Sequence, residues 1–399
     1  MTPNLLLLTG IAPGTQGVGQ LFLHDLVINY PEDKISCFAL IEPNMYSNST
    51  DLDWLKIEYV PRPREAGYGR FGKNIFRISG FFLWHYTKLI KSRILISQIE
   101  KYGKLQKVEM VWAVLSSPIL ICIAKQVANK LGVPLVTTIW DPPELFSINL
   151  GFNRFSHLNL LKDYRKVLQK SIRCGVASDN MAEIYLSQYK IDPIVQIRGV
   201  HKDFWKLPAL RLVDQEHFTI GFVGSIYTND EWKSLLVALS KVNWVLCGRK
   251  ITIRVLATNN PAKDNNNIPI EFLGWKSAKD SIELMSQVDL LYLPYWFDEK
   301  YASVVRLCFP NKLVTYLASG RPIFFHGPKD SSPVRFLNKY KAGICCHSMK
   351  EDDIINSLIQ IIIDKELYSK STQAGRRALI EEFDLDIFQQ RFVKLIGYS

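Results

Sequence analysis

The chain has 399 residues, 47% hydrophobic and 22% charged, a length that predicts two to three domains, each able to bury its own core, and a balance that excludes a disordered chain. No apolar run reaches the ~18 residues that a helix needs to span a bilayer; the longest, 111–124, is broken by Ser116, Ser117 and Pro118. The net charge is +11, and most of the excess lies in one segment, where eleven cations between Arg62 and Lys107 face only Glu65 and Glu100.

Seven cysteines, odd in number and without a Cys-x-x-Cys pair, suit a reducing cytoplasm and argue against a zinc site. No basic residue precedes the short apolar run 5–8, which reads as a first strand rather than a signal peptide. A glycine loop with Gly10, Gly14, Gly17 and Gly19 follows it, then an amphipathic run, 20–28. Strand, glycine loop and helix make a Rossmann-like opening, although the loop is not a G-x-G-x-x-G and glycines also serve plain tight turns.

Further strands are predicted at 35–41 and 57–60. From Pro61 to Lys107 aromatic residues, among them Tyr68, Phe71, Phe76, Phe81, Phe82, Trp84 and Tyr86, alternate with the cations. Such a stretch suits docking on anionic lipid, and equally suits one or two core helices with a basic outer face. Nucleic acid is not expected, because no helix-turn-helix, RNP or zinc-finger pattern accompanies the charge. A strand at 111–114, Ser117 as N-cap, Pro118 opening a helix that Gly132 stops, and a strand at 135–139 complete a βαβ unit. Its last strand ends at Trp140-Asp141-Pro142-Pro143-Glu144. Ligands of doubly wound sheets bind outside the carboxyl ends of strands, so Asp141 and Glu144 stand where chemistry would be placed; a turn stabilised by Asp141 is the plainer alternative.

Residues 164–170 and 179–189 read as helices and 175–177 as a strand. The polar stretch 207–216 looks like an interdomain linker. A second Rossmann-like opening follows: strand 219–223, turn Gly224-Ser225, and Asp230 capping a helix over 232–239. Strands are expected at 251–257, 271–273 and 289–293. The run from Phe309 to Phe325 then places Pro310 in a first helical turn, Leu313, Tyr316 and Leu317 on one face, Gly320 at a left-handed stop, and 323–325 in a buried strand. Cys345 and Cys346 are expected in a strand. Helices at 353–363 and 376–395 close the chain. Asn311 and Lys312 stand at a helix N-terminus, where free N–H groups and the helix dipole favour an anion; an ordinary helix with a solvated lysine is the alternative.

The run Pro310-Asn311-Lys312 through Tyr316-Leu317-Ala318-Ser319-Gly320-Arg321-Pro322 resembles the Pro-x-Lys-(x)n-Tyr-Leu-Ala-x-Gly-x-Pro segment of the group 1 glycosyltransferases, which use sugar nucleotides and have the GT-B fold. Gly17 and Gly19 match the Gly-Gly-Val-Gly loop of that family. The stretch 197–205 resembles its Asn-Gly-Val-Asp segment, altered here to Arg-Gly-Val-His, and Leu273-Gly274-Trp275 resembles its Leu-Gly turn beside the nucleobase. The resemblance covers nearly the whole chain in organisation and is motif-level strong in one segment.

The resemblance implies an α/β chain with two Rossmann-like domains facing a central cleft: an acceptor domain over 1–206, a donor domain over 207–382, and a helix over 383–399 crossing back to the first. It implies transfer of a hexose, with retention, from a nucleoside-diphosphate sugar to a glycan or lipid-linked acceptor, as in cell-surface polysaccharide or glycolipid synthesis. Lys312 and Lys233 would stabilise the departing diphosphate, and Asp141 would serve at the reacting centre. Gly17, Gly19, Gly224, Ser225, Gly274, Trp275, Asn311 and Thr315 would contact the substrates. Neither a metal nor a cofactor is expected, since Asp51-Leu52-Asp53 and Asp384-Leu385-Asp386 read as solvated turns. The place of action would be the cytoplasm or the inner face of an anionic membrane. Four departures oppose this. Leu307 and Thr315 stand where the family has its Glu-x7-Glu acids, Ser225 replaces an arginine, and Trp140 replaces a histidine. The alternative is a non-catalytic subunit that binds sugar nucleotide or glycan on the same fold; a GT-B epimerase acting on the sugar nucleotide fits the basic aromatic segment less well.

Overall fold

The computed structural model describes residues 2–42, 46, 49–65, 73–210, 212, 214, 216–261 and 268–398, with residues 73–79 described by their backbone alone. Two units are distinguished, Met1–Ile197 with Gln389–Ser399, and Arg198–Phe388.

Unit 1 runs β1 (Leu5–Thr9), α1 (Val18–Val27), β2 (Ile35–Ile41), β3 (Lys56–Pro61), α2 (Lys73–Tyr86), α3 (Ser92–Leu105), β4 (Met110–Val114), α4 (Pro118–Leu131), β5 (Leu135–Ile139), α5 (Pro143–Asn149), α6 (Arg154–Lys170), β6 (Ser171–Val176), α7 (Asp179–Tyr189) and β7 (Pro193–Val195). The strands form one parallel sheet in the order β3-β2-β1-β4-β5-β6-β7. The inner strands are covered on both faces, and every residue of β1, β2, β4 and β5 is buried. The strand order reverses between β1 and β4, so the loops after these two strands diverge and leave a crevice at their carboxyl ends.

Unit 2 runs β8 (His217–Val223), α8 (Asn229–Lys241), β9 (Val245–Leu246), β10 (Arg249–Leu256), β11 (Ile270–Phe272), α9 (Ala278–Met285), β12 (Leu290–Pro294), α10 (Ala302–Leu307), α11 (Lys312–Ala318), β13 (Ile323–His326), α12 (Ser332–Tyr340), β14 (Gly343–Cys346), α13 (Glu351–Ile363) and α14 (Lys365–Glu382), with α15 (Leu385–Ile396) leading back into unit 1. Its sheet has the order β11-β10-β8-β12-β13-β14, and β9 adds an antiparallel pair on β10. Here the order reverses between β8 and β12. Phe218, Ile220 and Phe222 of β8 pack with Ile251, Ile253 and Val255 of β10 and with Tyr292 and Phe324 in one core.

Several elements differ from the sequence reading for local reasons. The helix seen at 164–170 begins ten residues earlier, because Asn153 Oδ1 accepts from Ser156 N at 2.8 Å and caps it there. Thr228, not Asp230, precedes the first turn of α8, and α11 begins at Lys312 with Pro310 ahead of it. The predicted helix 376–395 is two helices. At the break Val200 N donates to Phe383 O at 2.9 Å and Gly199 lies against Asp384, so that backbone is spent on a bridge rather than a helical turn. Asp51 is not merely solvated either: its carboxylate meets His24 Nε2 at 3.1 Å, while His24 Nδ1 meets Asp25 at 3.1 Å.

The hydrogen bond with Asp25 is the chief cause that raises the His24 pKa above its ordinary 6.5, with Asp51 adding to it. A group raised in the folded state contributes stability that is complete below its unfolded pKa and is lost as pH rises through the folded value. His24→Gln is therefore expected to cost more at pH 5.5 than at pH 8.5. The difference should be about 0.5–1 kcal/mol, kept small by the exposure of Asp51. Urea unfolding of both proteins at the two pH values measures it, and equal costs at both would contradict the pairing.

Candidate functional site

Six parallel strands of unit 2 end on one edge, and the sequence-predicted residues of that unit are distributed along it. Gly224 (φ 91°) and Ser225 follow β8 at the reversal point of the strand order. The positive φ at Gly224 turns the chain in a conformation that a side chain would strain. Gly274 (φ 72°) and Trp275 follow β11, and Trp275 is 63% exposed. α11 enters this edge from the other side of the reversal point.

Tyr316 holds α11 in place. Its buried hydroxyl accepts from Val223 N (3.1 Å) at the end of β8 and donates to Tyr292 O (3.0 Å) in β12. One side chain thus joins the two strands that flank the crevice. Lys312, one turn earlier on the same helix face, is brought over the end of β8. Its Nζ lies 4.3 Å from the ring centroid of Phe222 and 4.8 Å from that of Tyr227. Both rings attract a cation through their faces, but among the described residues no carboxylate pairs with this ammonium. Burial with no counter-ion pushes its pKa down to about 7. The structure therefore holds a partly desolvated cation at the crevice, one whose charge a bound anion would stabilise.

Sequence reasoning did not find the aromatic residues around it. Tyr227 packs at a tilt on Trp296 (centroids 4.7 Å), Trp296 stacks on Tyr301 (4.6 Å), and Lys300 Nζ covers Tyr301 at 4.9 Å. Trp296 Nε1 also donates to Tyr227 O at 3.2 Å. The ladder joins the loop after β8 to the loop after β12, with a lysine at each end. Its signal in the sequence was weak, since Tyr227 and Trp296 are far apart and belong to no periodic pattern. Below it, Tyr292 Oη and His326 Nδ1 are 2.8 Å apart and His326 Nε2 donates to Ser348 O. Burial holds His326 neutral, with its pKa lowered to about 4. Glu231, buried, accepts from Phe297 N at 2.8 Å, and its burial raises its pKa. These groups brace the edge.

The remaining residues predicted for unit 2 fall as follows. Asn311 is exposed at the start of α11 and Thr315 is partly exposed in its middle. Lys233 is exposed on α8, and its position follows from that helix rather than from α11. Leu307 is buried at the end of α10, so the missing first acid is replaced by a core side chain.

In unit 1, Gly17 (φ 92°) is the N-cap of α1 and has open space where a Cβ would stand. Gly19 lies against Trp140, and a Cβ there would come 3.4 Å from the indole. Trp140 also packs edge-on to Phe22 at 5.3 Å. The tryptophan that replaces the family's histidine thus seals the glycine loop against the end of β5, with Asp141 beside it and Glu144 in the first turn of α5. Among the described residues no group of three His, Cys, Asp or Glu side chains is arranged to hold a metal ion.

No protein-family model matches the chain, and no curated protein matches it. Solved structures do. HepE of Anabaena, crystallised with UDP, is 13% identical with a TM-score of 0.68 and covers 99% of each chain. Sucrose-phosphate synthase of Thermosynechococcus elongatus is 11% identical with a TM-score of 0.66, over 99% of this chain and 98% of that one. An α,α-trehalose-phosphate synthase (UDP-forming) of Burkholderia vietnamiensis is 11% identical with a TM-score of 0.62, over 100% and 99%. These likenesses extend over nearly the full length of the chain, and the chain has the GT-B fold.

Proposed function

We propose that the chain is a glycosyltransferase whose unit 2 binds a nucleoside-diphosphate sugar at the β8–β12 reversal point and whose unit 1 holds a glycan or lipid-linked acceptor. Lys312 carries this reading: it is a partly desolvated ammonium at the carboxyl edge of a doubly wound sheet, flanked by two rings and, among the described residues, without a paired carboxylate. A diphosphate supplies the missing charge. As the sugar leaves, negative charge grows on the diphosphate, and a fixed cation there stabilises the transition state more than the ground state.

The other residues take roles consistent with their positions. Backbone at Gly224 and Ser225 approaches the phosphates, with Asn311 and Lys233 nearby in the proposed arrangement. Trp275 and Gly274 receive the base, and Thr315 offers the ribose one hydrogen bond where the family uses an acid. Gly17, Gly19 and Asp141 belong to acceptor binding. HepE was crystallised with UDP-glucose, which makes a uridine nucleotide and a hexose the first substrate to try. Retention of configuration, action in polysaccharide or glycolipid synthesis, and a cytoplasmic place facing the membrane extend the same reading.

A second reading has its own support. Leu307 is a core residue and Trp140 fills the space beside Gly19, as in a protein that binds sugar nucleotide without turning it over. Incubation with radiolabelled UDP-, GDP- and dTDP-sugars, with and without membrane lipid, separates the two: binding without product favours the second.

Lys312→Met is expected to abolish transfer while preserving the fold. The loss of a cation from the leaving group costs roughly 3–4 kcal/mol, or about two to three decades in rate. The same variant should gain stability. A lysine whose folded pKa is depressed binds fewer protons folded than unfolded, so its penalty is largest below pH 7 and fades as pH rises toward the ordinary 10.5. Lys312→Met should therefore be more stable than wild type near pH 6.5, by about 1–3 kcal/mol, and nearly equal to it near pH 10. Unchanged turnover, or a variant destabilised at pH 6.5, would remove Lys312 from this role.

Chelation is expected to leave transfer intact, because protein cations take the place of a divalent ion at the diphosphate. Assay in EDTA checks this. Activity abolished by EDTA and restored by magnesium or manganese would contradict it.

A further inference from the structure

The helices of the basic segment are apolar on two sides. Trp84, Leu95, Ile96 and Ile99 point inward and are buried, yet Phe82 (65% exposed), Tyr86, Leu89 (57%), Ile90 and Ile94 stand in solvent. Phe82, Tyr86, Ile90 and Ile94 recur at every fourth residue. In a regular α-helix such a row drifts around the axis, but a π-helical turn, Thr87–Lys91, lies in the middle of it. Its wider turn takes back part of the drift and keeps the row on one side. The row continues onto α6. His85 stacks on Phe155 (centroids 5.6 Å) and Phe81 packs at a tilt against it (6.1 Å); Phe155 is itself 59% exposed, and Leu158, one turn on, is 53% exposed. A patch of this kind on a soluble surface marks a docking site.

Its charge identifies the partner. Arg62 is spent on Glu42 and Glu65, Lys88 on Asp163, and Lys104 on Glu100. Lys91 and Arg93 beside the row, and Arg154 and Lys162 beside Phe155 and Leu158, are exposed and meet no carboxylate among the described residues. The acids of α3 and α6 are thus already engaged, and what borders the apolar row is cationic. A second copy of the chain would set these cations against themselves across a two-fold contact. An exposed aliphatic row has no use for a nucleic acid backbone.

We propose that Phe82, Tyr86, Ile90, Ile94, Phe155 and Leu158 enter the surface of an anionic lipid bilayer while the cations beside them meet its headgroups. The helices lie along the membrane plane rather than across it, as an interfacial amphipathic helix does; no described helix is long and apolar enough to span. Arg70, Lys73 and Arg77 of the same basic segment lie outside the residues whose side chains are described. The surface belongs to unit 1 and does not depend on whether Lys312 binds a diphosphate.

The test is co-sedimentation of the full chain with vesicles of phosphatidylcholine, alone or doped with phosphatidylglycerol, at low and high salt. Binding is expected only with phosphatidylglycerol and is expected to fall at high salt. Ile90→Ser with Ile94→Ser should weaken it about tenfold, and Lys91→Glu with Arg93→Glu by at least as much. All four positions are exposed, so circular dichroism should be unchanged in both variants. Absence of binding, equal binding to the neutral vesicles, or full binding by either variant would overturn the proposal. So would a lipid-free wild-type dimer in sedimentation equilibrium that Ile90→Ser with Ile94→Ser converts to monomer, since the row would then be a protein interface.

Discussion

The arrangement of unit 2 depends on the hydroxyl of Tyr316. Where a parallel sheet reverses its strand order, the two strands at the reversal send their loops apart, and nothing in the backbone ties their ends together beyond the ladder itself. Tyr316 supplies that tie, accepting from one strand end and donating to the other, from a helix that Leu313, Val314 and Leu317 also anchor by burial. Because Lys312 shares the helix face of Tyr316, the tie also decides where the ammonium stands.

Electrostatics then explains why that position is costly to the fold and useful to a ligand. A lysine that only packed would keep its charge in water along a flexible stem. Lys312 instead has two ring faces and, among the described residues, no paired carboxylate, so its desolvation is offset only in part. Uncompensated buried charge persists at sites where a ligand completes it. The aromatic ladder through Tyr227, Trp296 and Tyr301 maintains the low-dielectric wall on one side, and the neutral His326–Tyr292 pair braces the strands beneath. On unit 1 the reverse has happened. Glu65, a buried carboxylate, already accepts from Ile119 N at the start of α4 and from Arg62, so that helix N-terminus is satisfied by the protein's own anion.

The inner strands were legible because both faces of each are covered: runs such as 5–9 and 35–41 are almost wholly apolar, and they coincide with β1 and β2. α4 was equally readable from Ser117, Pro118 and Gly132, the last in left-handed conformation at φ 71°. The helix at 376–395 was misread because its break is set by Gly199 and Val200, which come from far away in sequence. At the site, Lys312 could be found by its motif and Gly224 by its place after a strand. The ring faces could not, since cation–π enclosure arises from residues 222, 227 and 312, which share no spacing. The exposed row from Phe82 to Ile94 had been visible as aromatic and basic composition, but which side faced outward was decided by Trp84 packing on Phe152.

The central claim is that the Lys312 ammonium is incomplete without a bound diphosphate, and proton uptake on binding reports this most directly. Calorimetric titration with UDP-glucose, whose esterified phosphates do not titrate near neutrality, in buffers of different ionisation enthalpy gives the number of protons bound per nucleotide. With the free pKa at about 7 and the bound value raised by the anion, wild type near pH 7.5 should take up more than about half a proton, and Lys312→Met should take up none. Tight binding with no proton uptake, or the same uptake in the variant, would contradict the account.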